Sequence, residues 1–340
     1  MNNKTGVLLI NLGTPDSPSV KNVRSYLSQF LNDARVIDIP WLWRKILVNL
    51  IIVPFRARRS AKVYKKLWTS NGSPLLYHSM EAQNLLQAEL GDGYGVHLAM
   101  RYKNPSIAAT LEEMRKKSYD DIIVLPLFPQ YASASTGSAL DEVMHVVGKW
   151  WVIPEIKFIS QFYDHPTFIN AIAERSNRFN LKDYDHILFS YHGLPERQVD
   201  KVHDEGECAD YNCENEIRPE NKYCYRATCY ATTRLIAGKL GISKENYTVC
   251  FQSRLDKKWL KPFSDVVVEA CAKRGMKKIL VFSPAFTADC LETIIEIGEE
   301  YQEIFTEHGG EKVQLVESLN DHPMWIGCLK ELVLGRFASR

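Results

Sequence analysis

"NPSIAATLEEMRKKSYDDIIVLPLFPQYA", residues 104–132, and "KPFSDVVVEACAKRGMKKILVFSPAFTAD", residues 261–289, follow one plan. Each starts at a proline and runs through a helix-patterned stretch with Lys or Arg near its end. A charged pair follows, then an Ile/Leu/Val strand that closes on Pro and Phe. Setting Ile122 against Ile279 also sets Pro105 against Pro262. A second pair agrees: "GVLLINLG" ends at Gly13 and "HILFSYHG" at Gly193, both apolar strands running into a glycine. Strands alternating with helical patterns predict parallel sheets joined by crossover helices. The repetition predicts two similar α/β domains that meet between Trp150 and Pro166.

A chain of 340 residues, 45% hydrophobic and 24% charged, is long enough for two such domains. Its formal net charge of +1 gives no general attraction to nucleic acid. The opening "MNNKTGVLLINLG" reads as a first strand, because its short apolar run continues into Gly-Thr-Pro without a small-residue cleavage site. Without an export signal, the expected location is the cytoplasm. There the eight cysteines would serve burial or metal binding rather than disulfides.

No window carries the roughly 18 uninterrupted apolar residues of a spanning helix. The nearest, "PWLWRKILVNLIIVPFRARR" at 40–59, is broken by Arg44, Lys45 and Asn49. It fits either a helix lying on an apolar surface or a core helix with a solvated basic end. The first half is longer than the second between equivalent points by about the length of this segment. An apolar insertion in only one copy of a duplicated scaffold favours the surface reading.

Open α/β sheets bind ligands beyond the carboxyl ends of their strands. Asn11–Pro15, Ser190–Arg197 and Ser283–Glu292 leave such ends. No GxGxxG follows the first strand, and neither GxxxxGK[ST] nor GxSxG occurs. Dinucleotide, P-loop and α/β-hydrolase chemistries lose their main support. After the strand ending "FSPAF", Thr287 or Asp289 could cap a helix in which Glu292, Glu296 and Glu300 recur every four residues, with Glu299 and Glu303 nearby. The helix carries no Lys or Arg, so only Lys312 or distant arginines could offset the repulsion. The stripe reads as a solvated acidic face or as a row of oxygen ligands conducting a divalent cation. His192, at the strand end of the same half, reads as a loop residue or as a partner to those carboxylates for metal or protons. Cys208, Cys213, Cys224 and Cys229 form C-x4-C-x10-C-x4-C in a polar segment, the pattern of a zinc or iron–sulfur site. Cys250, Cys271, Cys290 and Cys328 are dispersed, mostly in apolar patterns, where thiols pack as small hydrophobes.

"INLGTPDSP", "FLND", "NGSPL", "FPQYASASTG", "FSYHGLPER", "CFQSR" and "FTADCLETIIEI" together resemble the ferrochelatases, in the family's order and across nearly the whole chain. The resemblance implies an α/β chelatase fold: two Rossmann-like domains with parallel four-stranded sheets flanked by helices and an active-site cleft between them. The spans would be 1–160, with a hydrophobic lip at 40–59, and 161–340, with His192, a cysteine-rich insert at 208–229 and an acidic helix at 289–303. It implies a lyase that inserts Fe²⁺, taken from a ferrous iron donor, into protoporphyrin IX with release of two protons, the last step of haem biosynthesis. His192 and Glu292 would be the catalytic and metal-binding pair, with Asp289, Glu296 and Glu300 as an acidic path. Leu12, Arg56, Tyr64, Ser73, Arg101, Tyr131 and Ser133 would line the porphyrin site. The lip would admit the porphyrin and make peripheral contact with the inner face of the cytoplasmic membrane. Some family members have a histidine where this chain has Cys290. Only Cys328 lies near the end, so a cluster held by a C-terminal extension is not expected. Certain bacterial members have a similar internal insert, which implies a 2Fe–2S cluster on Cys208, Cys213, Cys224 and Cys229, with zinc or no metal as alternatives. Other readings are a chelatase for coproporphyrin or another tetrapyrrole, and a non-catalytic metal- or tetrapyrrole-binding protein.

Overall fold

Val7–Ile10 and Ile187–Phe189 are apolar at every position, as a parallel strand buried on both faces requires. A computed structural model describes residues 4–335; the ends of the expected spans, 1–3 and 336–340, lie outside the described residues. The first half contains β1 (Thr5–Gly13), α1 (Val20–Leu31), α2 (Trp41–Ile46), α3 (Val53–Leu67), α4 (Pro74–Leu90), β2 (Tyr94–Tyr102), α5 (Ile107–Lys116), β3 (Asp121–Pro126), α6 (Ser138–Val147) and β4 (Glu155–Phe158). Then come α7 (Pro166–Ser176), β5 (His186–His192), α8 (Glu196–Asp200), α9 (Tyr225–Leu240), β6 (Tyr247–Gln252), α10 (Ser264–Lys273), β7 (Lys278–Phe282), α11 (Tyr301–Glu307), β8 (Lys312–Leu315) and α12 (Pro323–Val333). The strands form two parallel four-stranded sheets in equivalent orders, β2-β1-β3-β4 and β6-β5-β7-β8. This is the α/β architecture that the repeat implied.

Alternate residues of each central strand serve different cores. Val7 and Leu9 join one cluster, while Leu8 and Ile10 pack with Leu111 of α5 and Val143 of α6. In the second sheet, Ile187 and Phe189 join the first of these clusters, and Leu188 packs with Val268 of α10 and Phe305 of α11. One apolar cluster therefore spans both halves. Phe189 and Phe282 stack within it at 5.0 Å between ring centres. The last helix belongs to it too: α12 packs on α7 and returns to α4 of the first half, where Lys330 pairs with Glu89 at 2.9 Å.

The duplication extends to fine geometry. Met100 donates its N–H to the Pro105 carbonyl, and Phe251 does the same to Pro262, each proline following a cis peptide bond. At the strand ends, a Cβ on Gly13 would lie 2.0 Å from the Tyr102 carbonyl oxygen, the last residue of β2. A Cβ on Gly193 would lie 2.7 Å from the Gln252 carbonyl oxygen, the last residue of β6. Gly13 also has φ +114°. Only glycine lets neighbouring strands come this close where the chain leaves the sheet.

The 40–59 segment forms part of one helical rod, with α2 and α3 joined by a π-helical stretch at Leu47–Ile52. Pro54 lacks an N–H and would crowd the carbonyl four residues back, and the wider winding just before it relieves that conflict. Val48, Val53, Ala57 and Ala61 bury against Val23 and Leu27 of α1. The opposite side is open: Trp41, Leu42, Trp43, Leu50, Ile51 and Phe55 are exposed, Phe55 at 82%. One face of the rod is therefore packed in the core and the other is exposed.

Asp33, from "FLND", joins α1, β2 and α6. Its carboxylate accepts from Arg101 Nη2 (2.8 Å), Tyr102 Oη (2.9 Å), Ser138 Oγ (2.5 Å) and the Arg35 N–H (2.8 Å). Burial alone would raise its pKa, but these bonds, led by Ser138, outweigh burial and hold the carboxyl below its ordinary value. Asp33→Asn is expected to lower the unfolding free energy by about 2–3 kcal/mol near neutral pH. The unfolded carboxyl titrates at about 3.9. The stabilisation is therefore complete above that value and is lost as pH falls through the lower folded pKa. Urea unfolding from pH 7 to pH 3 should show the two proteins converging at the acid end; a constant gap would refute the charge contribution.

Candidate active site

His192 ends β5 and is half-buried. Its Nδ1 lies 2.7 Å from the Gly193 carbonyl oxygen, which can only accept, so Nδ1 carries the proton. In the neutral ring, Nε2 is left with its lone pair. Trp259 and Phe286 stand with ring centres 6.5 Å from the imidazole, giving it apolar walls.

Register places Gln252 of β6 beside His192. This buried amide accepts from Ser190 Oγ at 2.8 Å. Its Nε2 donates to the Glu292 carbonyl and to a Glu296 carboxylate oxygen, both at 3.0 Å. The strand carrying His192 is thus tied to the helix carrying the glutamates. Ser253 adds its N–H (2.8 Å) and Oγ (2.5 Å) to Glu296. Neither Gln252 nor Ser253 had a role in the sequence reading, although "CFQSR" stood out; a buried amide at a strand end was the available signal.

The glutamates do not lie on an α-helix. Glu292–Glu300 is π-helical and continues into α11. Leu291, Ile294 and Ile295 face the α1–α3 cluster, and Ile297 packs on the opposite side against the second-half core. Exposure grows along the ladder: Glu292 and Glu296 are half-buried, Glu299 and Glu300 exposed. Partial desolvation, then the Glu296 carboxylate, lifts the Glu300 carboxyl above its ordinary value. The offsetting cations come from α3 and not from Lys312: Lys66 pairs with Glu299 at 3.1 Å, and Arg59 with Lys66 counters the rise at Glu300.

Asp289 stands apart from that ladder. It is buried before the helix, accepting from Thr293 Oγ1 (3.1 Å), the Ser318 N–H (3.2 Å) and Asn320 Nδ2 (2.7 Å). Its carboxylate fastens the helix start to the loop after β8. It also does not cap the helix through backbone N–H groups, and Thr287 Oγ1 instead donates to the Leu127 carbonyl across the halves at 3.0 Å.

Leu12 and Tyr64 meet in the α1–α3 cluster beside Leu291 and Ile295. Burial pushes the Tyr64 phenol up, with Tyr26 and then Glu292 adding to the rise, which places Glu292 at the edge of this apolar wall. Cys290, where some family members have histidine, is buried beside Glu292, and burial followed by that carboxylate keeps its thiol protonated. Ser73 is buried at the start of α4 with no partner for its Oγ. Arg56 is exposed on α3. Arg101 is committed elsewhere: Nε donates to the Ser138 carbonyl (3.1 Å) and Oγ (2.7 Å), Nη2 meets Asp33, and Nη1 lies 3.6 Å from Glu142. The Arg101 guanidinium is thus held by Ser138, Asp33 and Glu142 of the first half. Tyr131 and Ser133 line a cavity of about 580 Å³ between the halves, together with Arg35, Asp38, Gln198 and Lys201. Arg197, from "FSYHGLPER", and Lys201 hold Asp38 across that gap at 2.5 and 2.7 Å.

The insert brings Cys208, Cys213 and Cys224 together, but with His203 and without Cys229. The four ligand atoms all lie within 4.8 Å of one another, and all four residues are buried. Cys229 sits fully buried in α9 with the phenols of Tyr225 and Tyr191 as neighbours. Hydrogen bonds from the Cys208 and Cys224 thiols pull the Cys213 thiol far below its ordinary value. All four cysteines of the expected cluster, Cys208, Cys213, Cys224 and Cys229, are buried in the same part of the second-half core.

Two equivalent parallel sheets with a histidine at one strand end and a carboxylate helix beside it define the chelatase class. The fold is similar to SirB from Bacillus subtilis with Fe³⁺ (TM-score 0.53, 12% identical, 97% of this chain and 94% of that one). It is also similar to the sirohydrochlorin chelatase SirB of Bacillus subtilis subspecies spizizenii in complex with cobalt (TM-score 0.51, 13% identical, 96% and 92%). A family model described as ferrochelatase matches residues 4–336. The ferrochelatase of Legionella pneumophila strain Lens is 44% identical over 335 residues, 98% of this chain and 100% of its own. That of a Coxiella burnetii strain is 45% identical over 337 residues, 97% and 93%. The chain belongs to the ferrochelatase family, and it is a lyase.

If Asp289 is structural and Glu300 is not, the two variants will separate in a denaturant titration. Asp289→Ala is expected to cost about 3 kcal/mol, because it strands buried donors. Glu300→Ala should stay within about 0.5 kcal/mol of the parent. Equal, small effects would remove Asp289 from its fastening role.

Proposed function

We propose that the protein inserts Fe²⁺ into protoporphyrin IX beyond the ends of β1 and β5, with His192 and Glu292 as the working pair. What supports this reading is Gln252, paired in register with His192 and bonded through its side chain to the Glu292 carbonyl and the Glu296 carboxylate of a ladder that runs outward to solvent. A free-base porphyrin holds two N–H protons. Fe²⁺ enters as two protons leave, so charge is conserved. An unprotonated imidazole nitrogen accepts one such proton. Carboxylates of increasing exposure can hand in the cation as its waters are shed and carry protons out. The apolar wall of Leu12, Tyr64 and Ile295 suits a flat, greasy macrocycle, and a cleft that holds the ring bent favours the geometry needed for metal entry. Ser73 Oγ, buried without a protein partner, is a candidate donor to the substrate. Tyr131 and Ser133 would meet a substrate edge at the cavity between the halves.

His192→Ala and Glu292→Gln should each lower the rate of iron insertion into protoporphyrin IX by about 10²-fold or more, with folding intact by circular dichroism. Wild-type rates in both would overturn the assignment. Running coproporphyrin III alongside separates the two tetrapyrrole substrates.

We also propose that the protein is cytoplasmic and touches the inner face of the membrane through the rod at 40–59. Among the described residues, no helix is long and apolar enough to cross a membrane. The exposed Trp41, Trp43, Leu50 and Phe55, with Arg56, Arg58 and Arg59 alongside, suit an interface with anionic lipid. Sedimentation with anionic vesicles should carry down the wild type and leave Trp43→Ser/Phe55→Ser in the supernatant. No sedimentation of the wild type would refute it.

A further inference from the structure

We propose that β4 is a self-complementary edge through which two copies of this chain pair antiparallel about Ile156. β4 is the outermost strand of the first sheet, with β3 on one side and no strand among the described residues on the other. Ile159 donates its N–H to the Val124 carbonyl of β3. By the alternation of a strand, Lys157 and Glu155 also turn their backbone groups to β3, while Ile156 and Phe158 turn theirs outward. Such an unpaired row is a template for another strand. Just before it stands an apolar tip: Trp151 is wholly exposed, and Val152 and Ile153 are exposed with it.

An apolar edge alone would admit many partners; the charges select a second copy. Residues 153–159 read Ile-Pro-Glu-Ile-Lys-Phe-Ile. Paired antiparallel about Ile156, Glu155 of each copy faces Lys157 of the other, Pro154 faces Phe158, and Ile153 faces Ile159. The two Ile156 residues exchange both backbone bonds, and each Phe158 N–H meets the opposite Pro154 carbonyl, which asks for no N–H from the proline. Glu155 and Lys157 are exposed, and neither makes an ion pair among the described residues. The neighbouring registers are rejected by the same charges. A slip of two residues one way sets Glu155 on Glu155, and the other way Lys157 on Lys157, and like charges directly opposite are destabilising. The duplicated scaffold supplies the comparison. Register makes Lys312 of β8 the equivalent of Glu155, and the outer strand there reads Lys-Val-Gln-Leu after a His-Gly-Gly stretch at 308–310. The same edge of the same fold therefore needs neither the apolar tip nor the acid–base pair.

Sedimentation velocity of the full chain from about 1 to about 100 μM should show monomer passing to dimer as concentration rises. Glu155→Lys and Lys157→Glu each set like charges across the pair, and each alone should weaken dimerisation by about tenfold or more. Mixing these two variants should restore the dimer, because each supplies the charge that the other lacks. The double variant Glu155→Lys/Lys157→Glu should dimerise as the wild type does. Both positions are exposed, so circular dichroism should show unchanged folding in every variant. Association through the rod at 40–59, or through Trp151 alone, would not respond to the sign of these charges. A wild type that stays monomeric over the whole range would overturn the proposal. So would a dimer indifferent to the single variants, or one restored neither by mixing them nor by the double exchange.

Discussion

A buried amide at the end of β6 converts strand geometry into the placement of reactive side chains. Gln252 takes the Gly193 N–H on its backbone carbonyl at 2.8 Å, which holds the chain close as it leaves β5. Its side chain reaches the other way, to Ser190, the Glu292 carbonyl and Glu296. A buried amide left unpaired costs roughly 1–3 kcal/mol per group, so the three contacts hold each other in place. β5, which ends at His192, and the glutamate helix are different elements, and Gln252 bonds to both. The close approach at Gly193 is part of the same arrangement, since any side chain there would push β5 away from the carbonyl that anchors it.

The site also needs support from the first half. The π-helical segment of glutamates turns Leu291, Ile294 and Ile295 toward α1 and α3, while Lys66 meets Glu299. Carboxylates at close spacing repel by a few tenths of a kcal/mol per pair. Apolar packing on one side, donors on Glu296 and cations on α3 make that repulsion tolerable. The rod that carries these cations also carries the exposed apolar surface, so that surface and the contact with the acidic helix lie on one element.

Much of the fold was legible because a duplicated α/β unit writes its pattern twice. Buried parallel strands show as unbroken apolar runs, and the paired glycines and prolines sit where both copies make the same backbone contacts. The site was legible only where a residue type and a strand end coincide, as at His192. The partners of Asp289, Arg101 and Cys229 were not legible because they lie far away in sequence: Asn320 and Ser318, Asp33 and Ser138, and the core around Tyr191. His203 was missed for a related reason. Cysteine spacing suggested a set of four thiols, whereas the loop's path decides which donors converge. The winding of the acidic helix was also hidden, because a spacing of four suits an α-helix equally well.

The return of α12 to α4 has a consequence for how the chain is made. Ala82 and Leu86 of α4 lie in the same buried cluster as Leu329 and Leu332, and Lys330 and Glu89 are separated by 241 positions in sequence. At ribosomal rates of about 5–20 residues per second, the α4 face waits on the order of ten to fifty seconds before its partner is synthesised. The α4 side of this seam therefore lacks its partner until α12 has been made, and α12 then joins both halves.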